Sequence, residues 1–199
     1  MKKAFAKWTA LLLVLAMTLP MGVSAKEQKT DGWWTEEVWD TETLVSLGAK
    51  PPVYNKTAKV YEISTPEQLL FLSGAWKSAD TNQDGQPDAP RDGHYVLTAD
   101  IDMGPLMESV GKAITAASGE EAEGWMPPLS GNKSENADKT DGWFKGQIDG
   151  QYHTISNLRI CRIDEKYAAL VGYLGDETFT SPSIRNLGLA DVTIEGEKT

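Results

Sequence analysis

The sequence has little cysteine and little histidine, and each shortage excludes a class of protein. Cys161 is the only cysteine among 199 residues, so an intramolecular disulfide is excluded and stability must come from burial and hydrogen bonding. With only His94 and His153, the chain cannot form the His-Glu-x-x-His motif of a zinc peptidase. We expect Cys161 to be buried as a small apolar side chain, and a reactive thiol or an intermolecular disulfide is the alternative.

Long apolar runs are scarce as well, and the longest lies at the N-terminus. Three lysines precede the apolar residues 11–19, and the small residues 23–25 (VSA) follow, which is the order of parts in a secretory signal. The apolar run is shorter than the roughly 20 residues that cross a bilayer. We therefore expect residues 1–25 to be a cleaved signal peptide. The mature protein is then not membrane-spanning, and it is secreted or held non-covalently at the cell surface.

Positive charge is the third shortage. Lysine and arginine number 19 against 29 aspartates and glutamates, which gives a net charge of −10, and removal of the lysine-bearing signal peptide makes the chain more acidic still. An acidic surface repels phosphate backbones, so no nucleic acid is expected as a partner. This composition suits an extracellular protein that collects divalent cations.

A short phrase occurs twice near the C-terminus. The sequence ISNLRI at residues 155–160 recurs as IRNLGL at residues 184–189. Similarity at a fixed spacing is typical of repeat architectures, and alternating apolar residues with β-branched neighbours favour strands. We therefore predict that the copies stack as neighbouring β-rungs. In that arrangement Asn186 lies one strand spacing (~4.8 Å) above Asn157, and the leucines that follow them stack in the same way.

Composition also divides the chain into parts. Alternating apolar residues predict strands near residues 59–63 and 93–102, and a helix is predicted between them over residues 66–77. The helix has Thr65 as its N-cap, Pro66 at N1 and a capping-box glutamine. Terminal units of a stack must cover its core, which is why we interpret this region as a cap. The predicted parts are a signal peptide (1–25), a polar leader (26–58), an N-terminal α/β cap (59–103), a long loop (104–142) and β-helix rungs (143–199).

Three segments together resemble the β-helical surface proteins that carry GLUG-type repeats. These are residues 95–102 (YVLTADID), 144–158 (FKGQIDGQYHTISNL) and 169–174 (ALVGYL), and the resemblance covers residues 59–196. Such repeats occur in large secreted or wall-associated bacterial proteins, including adhesins and the non-catalytic portion of immunoglobulin A-specific metallopeptidases. The resemblance implies a right-handed parallel β-helix and an extracellular, surface-related role. It does not imply catalysis.

One loop has the pattern of a calcium site. Residues 80–88 (DTNQDGQPD) place oxygen side chains at positions 1, 3, 5 and 9 and glycine at position 6, as in an EF-hand loop. Position 12 is Arg91 instead of glutamate, although Asp92 is adjacent. A solvated acidic turn is the alternative. The predicted calcium ligands are Asp80, Asn82, Asp84, Gln86, through its backbone carbonyl, and Asp88.

Two further sets of residues are candidates for carbohydrate chemistry. Asp100 and Asp102 lie two residues apart, so they share one face of a strand and could act as paired carboxylates in a polysaccharide-cleaving enzyme. The simpler interpretation is that both face solvent while Ile101 faces the core. Loop tryptophans could stack on sugar rings in a glycan-binding site, or they could pack across the cap. The candidate glycan-binding residues are Trp33, Trp34, Trp39 and Trp125.

The sequence thus predicts a mainly β protein, a short right-handed parallel β-helix (solenoid) with an N-terminal strand-helix-strand cap and a bound calcium. No catalytic residue is assigned. The predicted function is a secreted, non-catalytic cell-surface or adhesion module, whose partner is an extracellular glycan or a host or cell-wall surface. Two alternatives stay open. One is a carbohydrate-binding or polysaccharide-cleaving protein, and the other is an N-terminal fragment of a larger surface protein.

Overall fold

The computed structural model describes residues 39–73, 79–129, 144–162, 168–172, 174–175 and 181–196. All of them belong to one compact unit, Gly32–Thr199. The predicted signal peptide and the candidate residues Trp33 and Trp34 lie outside the described residues. Within the described part, no helix is long and apolar enough to cross a membrane.

The described part of the chain contains three helices and ten short strands. The first helix begins where the side chain of Asp40 accepts a hydrogen bond from the Thr43 backbone N–H, and it ends before a glycine turn. The elements in chain order are α1 (Thr41–Ser46), β1 (Val53–Asn55), β2 (Val60–Ile63), α2 (Pro66–Phe71), β3 (His94–Leu97), β4 (Ile101–Asp102), α3 (Gly104–Ser118), β5 (Gln147–Asp149), β6 (Thr154–Ser156), β7 (Arg159–Arg162), β8 (Ser183–Arg185), β9 (Gly188–Ala190) and β10 (Thr193–Gly196).

The strands form three separate sheets. A five-stranded sheet has the order β1-β2-β3-β5-β8, a three-stranded sheet has the order β4-β6-β9, and β7 pairs with β10. Only the β1–β2 pair is antiparallel, and the other pairs are parallel. We call β5, β6 and β7 the inner tier and β8, β9 and β10 the terminal tier, because each terminal strand pairs with the corresponding inner strand.

The prediction of a mainly β protein with a solenoid of parallel rungs is wrong. Helices hold nearly as many of the described residues as strands do. The strands are distributed over three open sheets, the largest of mixed direction, and none of them closes on itself. The difference arises in part because α3, which contributes to the core, occupies residues that the sequence analysis assigned to a long loop. The predicted order of strand, helix and strand before this point is present as β2, α2 and β3.

The predicted stacking of the two sequence copies is also wrong. In the observed register Ile155 lies beside Leu189 and Ile148 lies beside Ile184. Continuing this register places Asn186 beside Gly150, so the two asparagines are not strand neighbours. Both asparagines have positive φ, 55° and 51°, a conformation that asparagine tolerates well. The repeated phrase therefore marks a corner between two strands. It recurs at two different corners and does not report which strands are neighbours.

A helix occupies the first part of the region that was predicted to be a long loop. α3 begins with Gly104 and Pro105, where a missing N–H costs nothing, and it buries Leu106, Met107, Val110 and Ile114 on one side. This spacing is helical, but the density of glycine, proline and serine further along obscured it. Within the predicted polar leader, the described residues 39–58 include α1, which buries Leu44 in the core.

The core centres on the five-stranded sheet. Tyr61 and Tyr95 lie side by side in β2 and β3 with ring centroids 5.2 Å apart, and Tyr54 and Phe144 extend the row in both directions. The Tyr95 hydroxyl donates a 2.6 Å hydrogen bond to the carbonyl of Pro90. Burial raises the pKa of Tyr61 to about 12. These rings pack the cap against the inner tier, because Tyr95 is also the strand neighbour of Ile148.

Candidate functional site

A groove lies beside α3 in the described part of the chain. Its volume is about 930 Å³, and it lies between the exposed side of α3, the strip of residues 121–124 and one corner of the two tiers. The groove is lined by Met107, Glu108, Gly111, Lys112, Thr115, Ala116, Glu121, Ala122, Glu123, Gly124, Asn157, Leu158, Arg159, Asp191 and Thr193.

Two glycines allow the wall of this groove to form. A Cβ at Gly124 would overlap the backbone carbonyl of Met107, and a Cβ at Gly111 would lie 2.8 Å from the Gly124 nitrogen. Side chains at these positions would therefore push the strip away from α3. The strip is also anchored to the inner tier, because the Met126 N–H donates to the Arg159 carbonyl at 3.0 Å. Helix, strip and tier thus form one continuous groove surface.

The charged residues of the groove are mostly paired. Lys112 bonds Glu108 at 2.6 Å across one turn of α3, which lowers the pKa of the Glu108 carboxyl. Arg159 forms ion pairs with Glu123 and, at 3.3 Å, with Glu195 of β10. The lining also includes the carboxylates of Glu121 and Asp191. The groove therefore has a largely apolar lining with an excess of carboxylates, which offer hydrogen-bond acceptors to a hydroxyl-rich or cationic ligand.

Asp100 and Asp102 are structural acceptors. Asp100 accepts the Thr154 N–H at 2.9 Å and lies 3.2 Å from the His153 Nδ1, and these contacts lower the pKa of its carboxyl. Asp102 accepts the Asn157 side-chain amide at 2.8 Å and the Gly104 N–H at 2.9 Å, and these bonds lower its pKa as well. Glycoside cleavage needs one carboxyl with a raised pKa to act as an acid. Neither aspartate meets that requirement.

Asp149 links the two tiers in a similar way. Its carboxylate accepts the Gln151 N–H at 3.0 Å and the Asn186 amide at 3.1 Å, and it pairs with Arg185 at 2.9 Å. The bond from the Gln151 backbone and that from Asn186 lower the pKa of Asp149, and the Arg185 charge acts in the same direction. Asp149 therefore carries a structural negative charge between the corners of neighbouring strands.

The predicted calcium loop is folded around its first carboxylate. The Asp80 carboxylate accepts the backbone N–H groups of Asp84 at 3.0 Å and Gly85 at 2.9 Å, and the Asn82 side chain accepts the same Asp84 N–H at 3.1 Å. Positive φ angles at Gln83 and Gly85 close the turn. The oxygens at loop positions 1, 3 and 5 thus lie around one short stretch of backbone.

Position 9 of this loop is turned away from the others. The Asp88 carboxylate is buried and accepts the Thr81 N–H and, at 2.6 Å, the Thr81 hydroxyl. Gln86 donates its backbone N–H to Asp84 at 2.9 Å. Among the described residues, no three His, Cys, Asp or Glu side chains are arranged to hold a metal ion. Calcium binding by Asp80, Asn82, Asp84, Gln86 and Asp88 remains a prediction, and of these Asp88 is the residue whose carboxylate is already held by Thr81.

The described tryptophans contact each other. Trp39 is 1% exposed, and its ring centroid lies 5.1 Å from that of Trp125, which packs against the same core. Trp39 therefore offers no open face to a sugar. His153 follows the turn after β5 and contacts Asp100, whereas Cys161 is partly buried in β7 with its thiol 3.7 Å from a Glu195 carboxylate oxygen.

Sequence reasoning did not find the groove. Its walls come from α3, from the strip that follows α3 and from the corner at Asn157 and Arg159, which are distant in the chain. The helical spacing of Leu106, Val110 and Ile114 was the one available signal, because a helix there implies an exposed side that carries Glu108 and Lys112. The pairing of Arg159 with Glu123 had no local signature.

Comparison with known proteins gives one partial match. No protein-family model matches the chain, and no solved structure matches it. A segment of 106 residues, 53% of this chain, is 35% identical to halomucin of Haloquadratum walsbyi (strain DSM 16790 / HBSQ001). That segment spans about 1% of the length of halomucin. The match is to a small part of a much longer protein and does not define a family for this chain.

Proposed function

We propose that this protein is an extracellular, non-catalytic module of the cell surface. The observation that carries the proposal is the use of three carboxylates at the ends of its strands. Asp102 and Asp149 each accept at least two hydrogen bonds, and Asp100 accepts one and contacts His153; these bonds join neighbouring strands or close their turns. These contacts lower the pKa of all three carboxyls, which suits a scaffold and does not suit an acid catalyst. The acidic composition and the partial match to halomucin support a role outside the cell.

Export is tested by expressing the full chain in a bacterial host and sequencing the N-terminus of the exported protein. We expect cleavage after Ala25 and recovery of the protein outside the cytoplasm. A Leu13→Arg variant, which interrupts the apolar run, should stay inside the cell uncleaved, and a conservative Leu13→Ile variant should be exported normally. A wild-type chain that remains in the cytoplasm with an intact N-terminus would contradict the proposal.

The groove favours carbohydrate binding as the adhesive activity of such a module. Its lining includes the Lys112 ammonium group, which is held by Glu108, together with further carboxylates, and hydroxyl-rich sugars need donors and acceptors of this kind. A glycan array incubated with the full chain should show retained glycans without cleavage. Lys112→Ala should weaken this binding, whereas Lys56→Ala, in an exposed turn away from the groove, should leave it unchanged.

The outcome distinguishes the alternatives. Release of shortened glycans that is lost in an Asp100→Asn variant would identify a polysaccharide-cleaving enzyme and contradict the non-catalytic proposal. Binding that resists Lys112→Ala but responds to changes in the tryptophan-containing N-terminal region would move the carbohydrate site to Trp33 and Trp34.

We also propose that the loop of residues 80–88 binds calcium as a structural ion. The support is the arrangement of Asp80, Asn82 and Asp84, whose oxygens surround the same turn, in an extracellular setting where weak calcium sites are filled. The melting temperature should rise in the presence of calcium and fall back to its original value when a chelator is added. Asp84→Asn should abolish the shift, and Glu120→Gln, at an exposed acidic residue elsewhere, should retain it. An unchanged melting temperature in wild-type protein would contradict the site.

A further inference from the structure

The terminal tier has an apolar end face. Ile184, Leu189 and Ile194 are 38%, 48% and 41% exposed. The residues beside them in the inner tier are Ile148, Ile155 and Ile160, and all three are buried. Each strand of the terminal tier pairs on only one side among the described strands. The end face therefore presents three apolar side chains together with three strand edges, and such edges readily pair with another chain.

The sequence of this face is symmetric about Leu189. Ile184 lies five residues before Leu189, and Ile194 lies five residues after it. The corners on the two sides have equal lengths, since residues 186–187 separate β8 from β9 and residues 191–192 separate β9 from β10. A two-fold axis through Leu189 would therefore bring together residues of two copies that are equally far from Leu189 in the sequence, such as Ile184 and Ile194.

We propose that the terminal tier binds the same tier of a second copy of this chain across such a two-fold axis. In this arrangement β9 pairs antiparallel with the partner's β9 through Leu189. Ile184 in β8 then faces the second copy of Ile194, because both lie five residues from the axis. Every exposed apolar residue of the face is covered by its counterpart. A contact between identical surfaces closes at two copies and does not propagate.

Charges on the outer side of the tier fit the same arrangement. Arg185 and Glu195 each lie one residue from an inward-facing isoleucine, so both point outward in their strands. Pairing Ile184 with the second copy's Ile194 makes Arg185 and the second Glu195 diagonal neighbours, within reach of long side chains. The symmetry creates this opposite-charge contact twice. Each residue also has a partner in its own chain, Asp149 for Arg185 and Arg159 for Glu195, which holds the charges in place.

Sedimentation of the full chain tests the association. We expect a concentration-dependent change from the 21.8 kDa chain to twice that mass between micromolar and millimolar protein. Salt should favour the larger species, because it screens the repulsion between two acidic copies. Leu189→Lys places two like charges at the axis and should abolish the change. Val45→Lys, at a 54% exposed valine on α1, is the matched control and should associate as wild type does.

Cysteine crosslinking tests the register. In a Cys161→Ser background, Ile184→Cys chains and Ile194→Cys chains are treated with diamide, which accepts the two electrons and two protons released when a disulfide forms. Mixed samples should crosslink strongly, and each variant alone should crosslink at least tenfold less. Leu189→Cys should crosslink with itself.

Three results would overturn the proposal. The first is a chain that stays monomeric at every concentration. The second is association that persists in Leu189→Lys, and the third is self-crosslinking of Ile184→Cys as efficient as that of the mixture. An end face that binds only a different protein would appear as the first result. None of these results bears on export, glycan binding or calcium binding, so the proposed function is tested separately.

Discussion

The inner and terminal tiers have nearly the same pattern of residues and very different burial. Ile155 in β6 is 1% exposed, and Leu189 beside it in β9 is 48% exposed. The backbone corners are alike as well, with an asparagine of positive φ after the central strand of one tier and the first strand of the other. The two tiers therefore differ mainly in what covers them. An alternating apolar pattern predicts which side chains face inward. Whether those side chains are buried depends on the strands or helices that pack over them.

The opposite end of the sheet shows what such a layer contributes. There β1 pairs antiparallel with β2, and Tyr54 packs on Tyr61 with ring centroids 4.9 Å apart. α1 and α2 add Leu44 and Leu70, both fully buried. The inner tier thus lies between a packed cap and the terminal tier, whereas the terminal tier is covered on one side only. Replacing matched residues in the two tiers measures this difference directly.

The largest contrast is expected for apolar truncation. Ile155→Ala removes a buried side chain that lies between Ile101 and Leu189 in neighbouring strands, and it should lower the free energy of unfolding by about 2 to 5 kcal/mol. Leu189→Ala removes a half-exposed side chain and should cost less than about 1 kcal/mol at low protein concentration. Urea unfolding followed by tryptophan fluorescence measures both. Equal losses would mean that the terminal tier is as well covered in solution as the inner tier.

A smaller contrast is expected for two glycines. A Cβ at Gly146, just before β5, would overlap the backbone carbonyl of Gly93, which cannot move without displacing β3. A Cβ at Gly188 in β9 would instead lie 2.6 Å from the Thr154 hydroxyl oxygen, which is a side-chain atom that can rotate. Gly146→Ala should destabilise by about 1 to 3 kcal/mol, the usual cost of overpacking, and Gly188→Ala by clearly less.

The same unfolding measurement decides the glycine comparison. A Gly188→Ala variant as unstable as Gly146→Ala would show that the terminal tier is packed as rigidly as the inner tier. A Gly188→Ala, Thr154→Ala double variant, compared with Thr154→Ala alone, sharpens the test, because it removes the Thr154 hydroxyl oxygen that the new Cβ would meet. It should recover any loss that comes from this contact.

Local features of the fold were predictable because their causes are local. The N-cap of α2 is confirmed, since the Thr65 side chain accepts the Gln68 N–H and Pro66 occupies the first turn. Strand alternation likewise located β2 and β3. Each of these elements depends on residues a few positions apart, so the local sequence is sufficient to predict it.

The register of the tiers was not predictable in this way. The repeated phrase places an asparagine, Asn157 or Asn186, at a corner where the backbone has positive φ. The same phrase can occur at any corner with that backbone conformation. Which strand lies beside which depends on the lengths of the connections between tiers. Alignment of the two phrases matches Ile155 with Ile184, whereas the strand beside Ile155 in the fold contributes Leu189 at that position.

The candidate sites likewise combine features that the local sequence predicts with features that only tertiary packing creates. The calcium loop was visible because its oxygens lie within nine consecutive residues, although the contact of Asp88 with Thr81 was not visible. The groove depends on the meeting of Glu123 and Arg159, which only the fold brings together. The burial of Trp39 against Trp125 also arises from tertiary packing, and sequence alone left both residues as candidates for sugar binding.

The smallest expected effect concerns the electrostatic contacts of Asp149 that attach the terminal tier to the inner tier, and it depends on pH. Hydrogen bonds from Gln151 and Asn186 and the charge of Arg185 lower the pKa of Asp149 in the folded protein. A carboxyl whose folded pKa is below its unfolded pKa stabilises the fold at pH above the unfolded value. That contribution is lost as the pH falls through the folded value. Acid should therefore loosen the attachment of the terminal tier to the inner tier before it disrupts the core.

Asp149→Asn should remove this acid-dependent loosening, because the carboxyl whose protonation causes it is absent. The change is measured from the amide chemical shifts of Arg185 and Asn186 during an acid titration. Asp191→Asn is the matched control, since Asp191 occupies an exposed corner of the terminal tier with positive φ, which asparagine also tolerates. A titration that Asp149→Asn leaves unaltered, or that Asp191→Asn alters as much, would show that the tiers are joined by strand pairing alone.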